Sequence, residues 1–249
     1  MSDKKKYPKK TWFIYDANGP LFSWSPTGDI KDNFARAEEY LKKNHPKVYQ
    51  KAVLEKNPKH YAEMVRKNQE GSLSGQLPVY PNKRMLEIAH KIRQHGGRNV
   101  VISDGDKKFL NKLIHKISDG SPPFDEEDIK SSMNIGNKKE SKTWYSIFQE
   151  MGVQEGDRFY GIEDTEANAR AMARAAKDSG LVSRVYLIDI SLSPDEAKID
   201  GEIIRIGSEK YLESKTQRHL SYIKNKNSSG QRHHILSIFF VTLALLEFL

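Results

Sequence analysis

Two widely separated segments each run from a short apolar stretch directly into acidic residues. The first is TWFIYDANGPLF, which begins at Thr11, and the second is RFYGIEDTEANARAMARAAKDSG, which begins at Arg158. Short apolar runs rich in aromatic and branched residues predict buried strands. Because the carboxyl ends of parallel strands meet at one edge of a sheet, the acidic residues that follow them can converge there. Converging carboxylates would suit Mg²⁺.

The rest of the chain alternates between strand and helix. Besides the first strand at 11–16 and the strand at 158–162, we predict strands at 99–103, 184–188 and 202–206. Helices are expected at 107–117, at 141–151 and along the alanine-rich stretch after Asp164. Alternation of this kind predicts parallel βαβ units and therefore the α/β fold class.

A helical insert is predicted after the first strand. The apolar spacing from residue 30 to about residue 68 is helical, and Pro46 and Pro58 separate three helices. Trp24, Tyr40 and Tyr49 could line a pocket or pack the core of the insert, and we favour packing. An insert in this place can close over a site and exclude water, which favours small phosphorylated substrates over proteins.

Composition limits the class of protein. The 249 residues, 37% hydrophobic and 30% charged, suffice for one large domain or a core with a smaller insert. The absence of cysteine excludes disulfides and thiolate metal sites, and we expect a cytoplasmic protein. The net charge of +8 is concentrated at the amino terminus and in residues 31–70. A solvated basic surface is favoured there over one that binds nucleic acid.

The two ends of the chain differ from its body. Residues 1–10 form a basic leader, residues 223–234 a polar linker and residues 235–249 an apolar tail. At about 1.5 Å per residue, the tail as a helix would cover about 22 Å of a hydrocarbon layer about 30 Å thick. Packing on the body or a partner and contact with a membrane both remain open. The oligomeric state is undetermined.

Asp16 and Ser103 each end a predicted strand. Asp16 is followed by Gly19, which lets the backbone turn and approach a ligand, and its carboxylate could attack phosphorus. The hydroxyl of Ser103 and the amides of Asp104 and Gly105 could donate to a phosphoryl oxygen. Both segments could also be ordinary turns.

Lysines and further acids complete the set of candidate residues. Lys138, Lys139 and Lys142 lie just before or at the start of a helix, where one of them could neutralise a carboxylate and a phosphate. Glu163 and Asp164, with Asn168 one turn later, make a hard oxygen site. The alternative for the acids is capping of the following helix. We favour the metal site, because two acids and the end of a strand coincide.

The order of these motifs resembles the haloacid dehalogenase (HAD) superfamily of phosphatases and related hydrolases. The resemblance covers about residues 11–207 and rests on DANG, a strand ending in Ser, Gly-x-x-Lys and GIEDTEANARAMARAAKDSG. It implies a Rossmann-like parallel sheet at 11–22 and 82–222 with helices on both faces. It also implies an inserted α-helical cap, which we assign to residues 23–81.

The resemblance implies a role for each matching residue. Asp16 would be the nucleophile and a Mg²⁺ ligand, and the carbonyl of Asn18 a second ligand. Ser103 would bind phosphate. Asp164 would hold the metal, assisted by Glu163.

The lysine of the third motif has two candidates in this sequence, Lys139 and Lys138. The pattern FD, SS and GxxK matches Phe124, Asp125, Ser131, Ser132 and Gly136, with Lys139 three residues after the glycine. Lys139 is therefore our choice. Lys138 is the alternative, because the proline that usually follows the lysine is absent.

Two residues depart from the usual Asp-x-Asp-Gly-Thr. Asn18 stands where phosphatases carry the acid that protonates the leaving group and then activates water, and Pro20 replaces Thr. An amide can donate a hydrogen bond but cannot exchange a proton near neutral pH, and losing such a group removes about 10² to 10⁴ in rate. DANGPLF also resembles the start of the metal-free dehalogenases, but the Glu163 and Asp164 pair argues against that branch.

These observations predict a Mg²⁺-dependent phosphohydrolase that acts on a small phosphate ester through an aspartyl-phosphate at Asp16. It is expected to be slow, unless the substrate or its leaving group supplies the proton. The alternative is a catalytically silent binding module that keeps the shape of the site.

Overall fold

The computed structural model describes residues 10–132 and 135–215. The chain divides into two compact units, Met1–Tyr211 and Leu212–Leu249, and the sheet and site described below belong to the first. The predicted linker and apolar tail lie outside the described residues, as does the basic leader except for Lys10. No helix in the described ranges combines the length and the apolar character that crossing a membrane requires.

Strands and helices alternate along most of the first unit. In chain order they are β1 (Thr11–Tyr15), β2 (Phe22–Ser23), α1 (Ile30–Asn44), α2 (Pro46–Tyr49), α3 (Tyr61–Ser74), β3 (Tyr80–Pro81), α4 (Lys83–Gln94), β4 (Arg98–Ser103), α5 (Lys107–Ile117), β5 (Ile129–Ser131), α6 (Ser141–Met151), β6 (Arg158–Glu163), α7 (Glu166–Asp178), β7 (Val182–Ile188), β8 (Ala197–Asp200) and β9 (Ile203–Ile206). A π-helical turn follows α2, and a 3₁₀ turn precedes α3.

Seven of the strands form one sheet in the order β5-β4-β1-β6-β7-β9-β8. All neighbouring strands are parallel except β8, which runs antiparallel to β9 at the edge. The five strands predicted for the sheet are all present. Strands β5 and β8 were missed because β5 has only three residues and β8 carries an exposed isoleucine, Ile199. The fold is α/β and Rossmann-like.

Helices cover both faces of this sheet. Trp12 and Ile14 of β1 share one buried cluster with Trp144 of α6 and Met172 of α7. Trp12 and Ile14 are two positions apart in β1, so their side chains lie on the same face of the sheet. On the opposite face, the side-chain amide of Asn99 in β4 donates to a backbone carbonyl of α4 at 2.8 Å. The helices pack on the two faces of the sheet, so the carboxyl ends of the central strands are followed by loops that can carry a site.

The helical insert lies between β2 and β3. These two short strands pair antiparallel, so they bring the two ends of the insert together. Tyr40, Leu41, Val48 and Leu77 form a buried cluster, against which the side chains of Trp24 and Tyr49 pack. The packing interpretation of the three aromatic residues is confirmed.

Candidate active site

Three carboxylates converge at the carboxyl edge of the sheet. Asp16 directly follows β1, Glu163 ends the neighbouring strand β6, and Asp164 comes next. The pairing of Tyr15 with Ile162 sets this register, and the Asp16 amide donates to the Ile162 carbonyl at 3.0 Å. One carboxylate oxygen from each acid lies within 4.8 Å of the other two. The structure therefore brings these three predicted residues together.

A buried lysine lies against these acids, and it is Lys138. Its Nζ donates to Asp16 Oδ1 at 2.8 Å and to Glu163 Oε1 at 3.2 Å. Only 3% of the Lys138 side chain is exposed, whereas Lys139 is exposed. Our choice of Lys139 for this position is corrected: Lys138 occupies it. Lys142 pairs with Glu140 at the surface.

The backbone before α6 explains which lysine enters the site. The Lys138 carbonyl accepts a hydrogen bond from the buried indole of Trp144 at 2.8 Å. The next amide, that of Lys139, donates to the side chain of Asn137 at 3.0 Å. This contact closes a turn over Asn137 and Lys139. The first contact anchors Lys138 in the protein, while the side chain of Lys139 stays in solvent.

Burial and charge shift the pKa values of the site. Burial raises the pKa of Glu163 to about 8, against the opposing charge of Lys138. Burial, with the nearby Asp16 carboxylate, raises the pKa of Asp164 to about 7. The pKa of Asp16 also rises with burial, although Lys138 opposes this. Burial alone would lower the pKa of Lys138, but the charges of Asp16 and Glu163 hold it above its usual range. Three carboxyl groups thus lie around a single ammonium group, that of Lys138, among the described residues of the site.

Gly19 lies against the Asp164 carboxylate. Its φ of +99° is in the region that favours glycine, and a Cβ on it would be 2.0 Å from Asp164 Oδ2. The loop after Asp16 therefore folds directly over Asp164. Mg²⁺ binds carboxylate oxygens and backbone carbonyl oxygens. The carboxylates of Asp16 and Asp164, with the backbone of this loop beside them, therefore fit this ion.

Asn168 and Thr165 hold Glu163 from the start of α7. The side-chain amide of Asn168 and the Thr165 amide each donate to Glu163 Oε2 at 3.4 Å. Thr165 is the N-cap residue of α7, although its side chain makes no capping bond. Glu163 thus makes contacts with both its oxygens, one to these donors and the other to Lys138.

Ser103 ends β4, the other neighbour of β1, and is buried. Its hydroxyl accepts from the Gly105 amide at 3.3 Å, and its carbonyl accepts from the Ser132 amide at 2.8 Å. The Asp104 carboxylate accepts a hydrogen bond from the Ser132 hydroxyl. The Gly105 amide is thus turned to Ser103, while the Ser103 hydroxyl keeps its own proton to donate.

The helical insert also contacts the loop after β4. Gln69 of α3 accepts from the Asp106 amide at 3.3 Å, and its side-chain nitrogen fills the space where a Cβ on Gly105 would lie. This contact places α3 beside the loop that carries Ser103 and Asp104.

Asn18 is held by a second asparagine, Asn33, in the first turn of α1. Asn33 Nδ2 donates to Asn18 Oδ1 at 2.9 Å, and Asn33 Oδ1 accepts from the Trp24 amide at 2.6 Å. Only 1% of Asn33 is exposed. Our sequence interpretation missed Asn33. The signal was its spacing with Ala37 and Tyr40, which are also buried in α1.

Tyr61, at the start of α3, is a second residue that the sequence interpretation missed. Burial of its hydroxyl, followed by the charge of Asp104, raises the pKa of Tyr61 to about 12, and the charges of Lys138 and Asp16 also act on it. Tyr61 as a whole is nevertheless 47% exposed, so the burial applies to its hydroxyl end and not to the ring. In the sequence Tyr61 belongs to an apolar helical spacing with Met64 and Val65, and this spacing hid the polar end of the side chain.

The sheet and the acidic cluster define an α/β protein with a candidate site at the carboxyl ends of its central strands. Comparison with solved structures makes the class more specific, because the chain has a HAD-like fold. A HAD family hydrolase from Deinococcus radiodurans R1, solved with bound phosphate and sodium, is 13% identical, with a TM-score of 0.51 and coverage of 85% of this chain and 97% of that chain.

Two further structures show the same fold. A hydrolase from Pseudomonas syringae is 12% identical and has a TM-score of 0.51, with coverage of 83% of this chain and 99% of that one. A dehalogenase solved with an intermediate complex is 10% identical at a TM-score of 0.50, with coverage of 83% and 96%. No protein-family model matches the chain. No curated protein matches it either.

Proposed function

We propose that this protein is a Mg²⁺-dependent phosphohydrolase that acts on a small phosphate ester through an aspartyl-phosphate at Asp16. One observation carries the proposal: Asp16, Glu163 and Asp164 converge within 4.8 Å, and the buried Lys138 is bonded to two of them. Burying three acids side by side raises their pKa values and costs stability. Clusters of this kind are typical of functional sites.

Asp16 and Asp164 would hold Mg²⁺, with the backbone carbonyl of Asn18 as a further ligand. The ion would neutralise charge that develops on the transferring phosphoryl group. Glu163 would act indirectly, because its Oε1 is already bonded to Lys138. The Deinococcus radiodurans hydrolase, which has a similar fold, was solved with bound phosphate and sodium, and this supports a protein of this fold that binds an anion and a cation.

Asp16 is oriented for attack on phosphorus. Its Oδ1 accepts from the Ala17 amide and from Lys138 Nζ, both at 2.8 Å. These two donors fix the plane of the carboxylate, and Lys138 reduces the repulsion between the carboxylate and the phosphate. The Ser103 hydroxyl would donate to a phosphoryl oxygen.

The helical insert would act as a cap that limits the size of the substrate. Gln69 and Tyr61 both belong to α3 and lie near the loop after β4. Closure of such an insert excludes water from the reacting phosphate, which favours small phosphorylated molecules.

The test is phosphate release from 4-nitrophenyl phosphate, measured with MgCl₂ and with EDTA. We expect release only with Mg²⁺, and loss of that release in Asp16→Asn. Asp125→Asn is the matched control, because Asp125 is an exposed partner of Arg93 outside the site. Release that persists unchanged in Asp16→Asn would refute the proposal.

Asn18 favours a second candidate, a silent module that binds Mg²⁺ and phosphate without turnover. An amide at this position cannot transfer a proton. A rise in melting temperature with Mg²⁺ and phosphate, together with no release from a broad panel of phosphate esters, would identify this alternative.

A further inference from the structure

The orientation of the Asn18 side chain follows from a chain of three hydrogen-bonding groups. The Trp24 backbone N–H can only donate, so the atom of Asn33 that faces it at 2.6 Å is the oxygen. The other end of the Asn33 amide is then a donor, and its partner at 2.9 Å on Asn18 is the oxygen Oδ1. A backbone amide thus determines which way Asn18 points.

The Nδ2 group of Asn18 consequently faces away from Asn33. No residue in the described ranges accepts a hydrogen bond from this group. Asn18 follows Asp16 by two residues, in the loop that Gly19 folds against Asp164. The loop that lies against the Asp164 carboxylate therefore carries a donor with a fixed direction and no partner in the described part of the protein.

We propose that Asn33 is a positioning residue that holds the Asn18 NH₂ group as a hydrogen-bond donor to the leaving-group oxygen of the substrate. This inference rests on the proposed function. It also names the substrate class: phosphate esters or anhydrides whose leaving group is stable as an anion, such as aryl, enol or acyl phosphates. Alkyl phosphates, whose alkoxide needs a proton as it leaves, are poor substrates of this site.

The reaction balances without a protein acid. An Asp16 oxygen forms a bond to phosphorus as the bond to the leaving oxygen breaks, and the electron pair stays on that oxygen. Asn18 stabilises the anion by donating to it, and the anion takes its proton from water after release. A water oxygen then attacks phosphorus, the bond between Asp16 and phosphorus breaks, and the second proton of the water goes to solvent.

Because Asn33 is buried and bonded at both ends, a substitution there can be chosen that changes only the orientation of the Asn18 amide. A side chain with 1% exposure and both amide ends bonded has one rotamer available. Asn33→Asp has the same shape and still accepts from the Trp24 amide. The variant presents an oxygen to Asn18, so the Asn18 amide must turn its NH₂ group toward the new carboxylate and away from the substrate.

The experiment compares two esters with MgCl₂ present: phenyl phosphate, which has the more basic leaving group, and 4-nitrophenyl phosphate. We expect Asn33→Asp to lower kcat/KM for phenyl phosphate by about tenfold more than for 4-nitrophenyl phosphate, as the loss of one hydrogen bond implies. Asn44→Asp makes the same change at the exposed end of α1 and should leave the ratio unchanged. General damage to the fold would lower both substrates equally, and an unchanged ratio in Asn33→Asp overturns the proposal. If Asn33→Asp does not fold, Asn33→Ala must change the ratio in the same direction.

A second readout does not require turnover. The side-chain NH₂ resonances of Asn18, assigned by their loss in Asn18→Asp, should shift when orthovanadate is added with MgCl₂, and should not shift in Asn33→Asp. If wild type releases no phosphate but shows this difference, the proposed function fails and the positioning role stands. Equal shifts in both proteins, or none in wild type, overturn the positioning role.

Discussion

The ammonium group of Lys138 lies 2.8 Å from the Asp16 carboxylate and inside the protein. Glu163 shares this ammonium group and is fully buried. One lysine thus serves two carboxylates in a region where an unpaired charge is costly. The role that we assigned to Lys139 from its spacing after Gly136 belongs by position to Lys138.

Lys138→Met should be much more harmful than Lys139→Met. Removing one partner of a buried ion pair costs about 3–5 kcal/mol, because the remaining charge is left unpaired. Turnover should fall by about 10²-fold or more, as it does when a preorganised electrostatic donor is removed. Melting temperature and kcat on an aryl phosphate measure both effects. Equal behaviour of the two variants would contradict the assignment of Lys138.

Gly19→Ala should disturb Asp164 and so weaken Mg²⁺ binding. A Cβ at this position would be 2.0 Å from Asp164 Oδ2, so the carboxylate must move. Gly75→Ala is the matched control, since Gly75 has a φ of +80° and nothing within 4 Å of the added Cβ. Both variants should lose about 1–2 kcal/mol through backbone strain.

Only Gly19→Ala should lose the rise in melting temperature that MgCl₂ produces. Retention of the full Mg²⁺ effect in that variant would show that Asp164 does not need its position against Gly19.

The stability of the metal-free protein should fall as pH rises from about 4, near the pKa of unfolded carboxyl groups, to about 7 and about 8, the pKa values of folded Asp164 and Glu163. Both values lie above those of the unfolded chain, so the folded protein retains protons that the unfolded chain has released. The stabilising contribution is complete below the unfolded values and is lost as pH passes the folded ones. Mg²⁺ binds the deprotonated acids, so its stabilising effect should grow over the same range.

Melting temperature measured against pH, in EDTA and in MgCl₂, tests this expectation. Asp164→Asn removes one of the acids whose pKa is raised and should flatten the difference between the two curves. A Mg²⁺ effect that is constant from about pH 5 to about pH 9 would count against the metal site.

Asn18→Asp should raise turnover, because a carboxyl group can transfer a proton to the leaving group where an amide cannot. The gain should be about 10²-fold for phenyl phosphate and smaller for 4-nitrophenyl phosphate, whose leaving group needs less help from an acid. Asn33 can still donate to the new carboxylate, so the loop should keep its geometry. Absence of any gain would mean that another group already handles the proton.

Much of the fold could be predicted from local pattern. The apolar runs before Asp16, Ser103 and Glu163 identified three strands, and their parallel alternation with helices placed all three ends at one edge. Strand β8 could not be found this way, because none of its residues is buried. It forms only by antiparallel pairing with β9, the next strand along the chain.

The sequence by itself determined that acidic residues follow buried strands and that a helical insert separates the first strand from the rest. Tertiary structure decided that Lys138 and not Lys139 reaches Asp16, and that Asn33 and Tyr61 of the insert face the site. The reason is physical. Strand and helix periods are local properties of the chain, whereas the direction of a side chain in a turn depends on hydrogen bonds to distant residues such as Trp144.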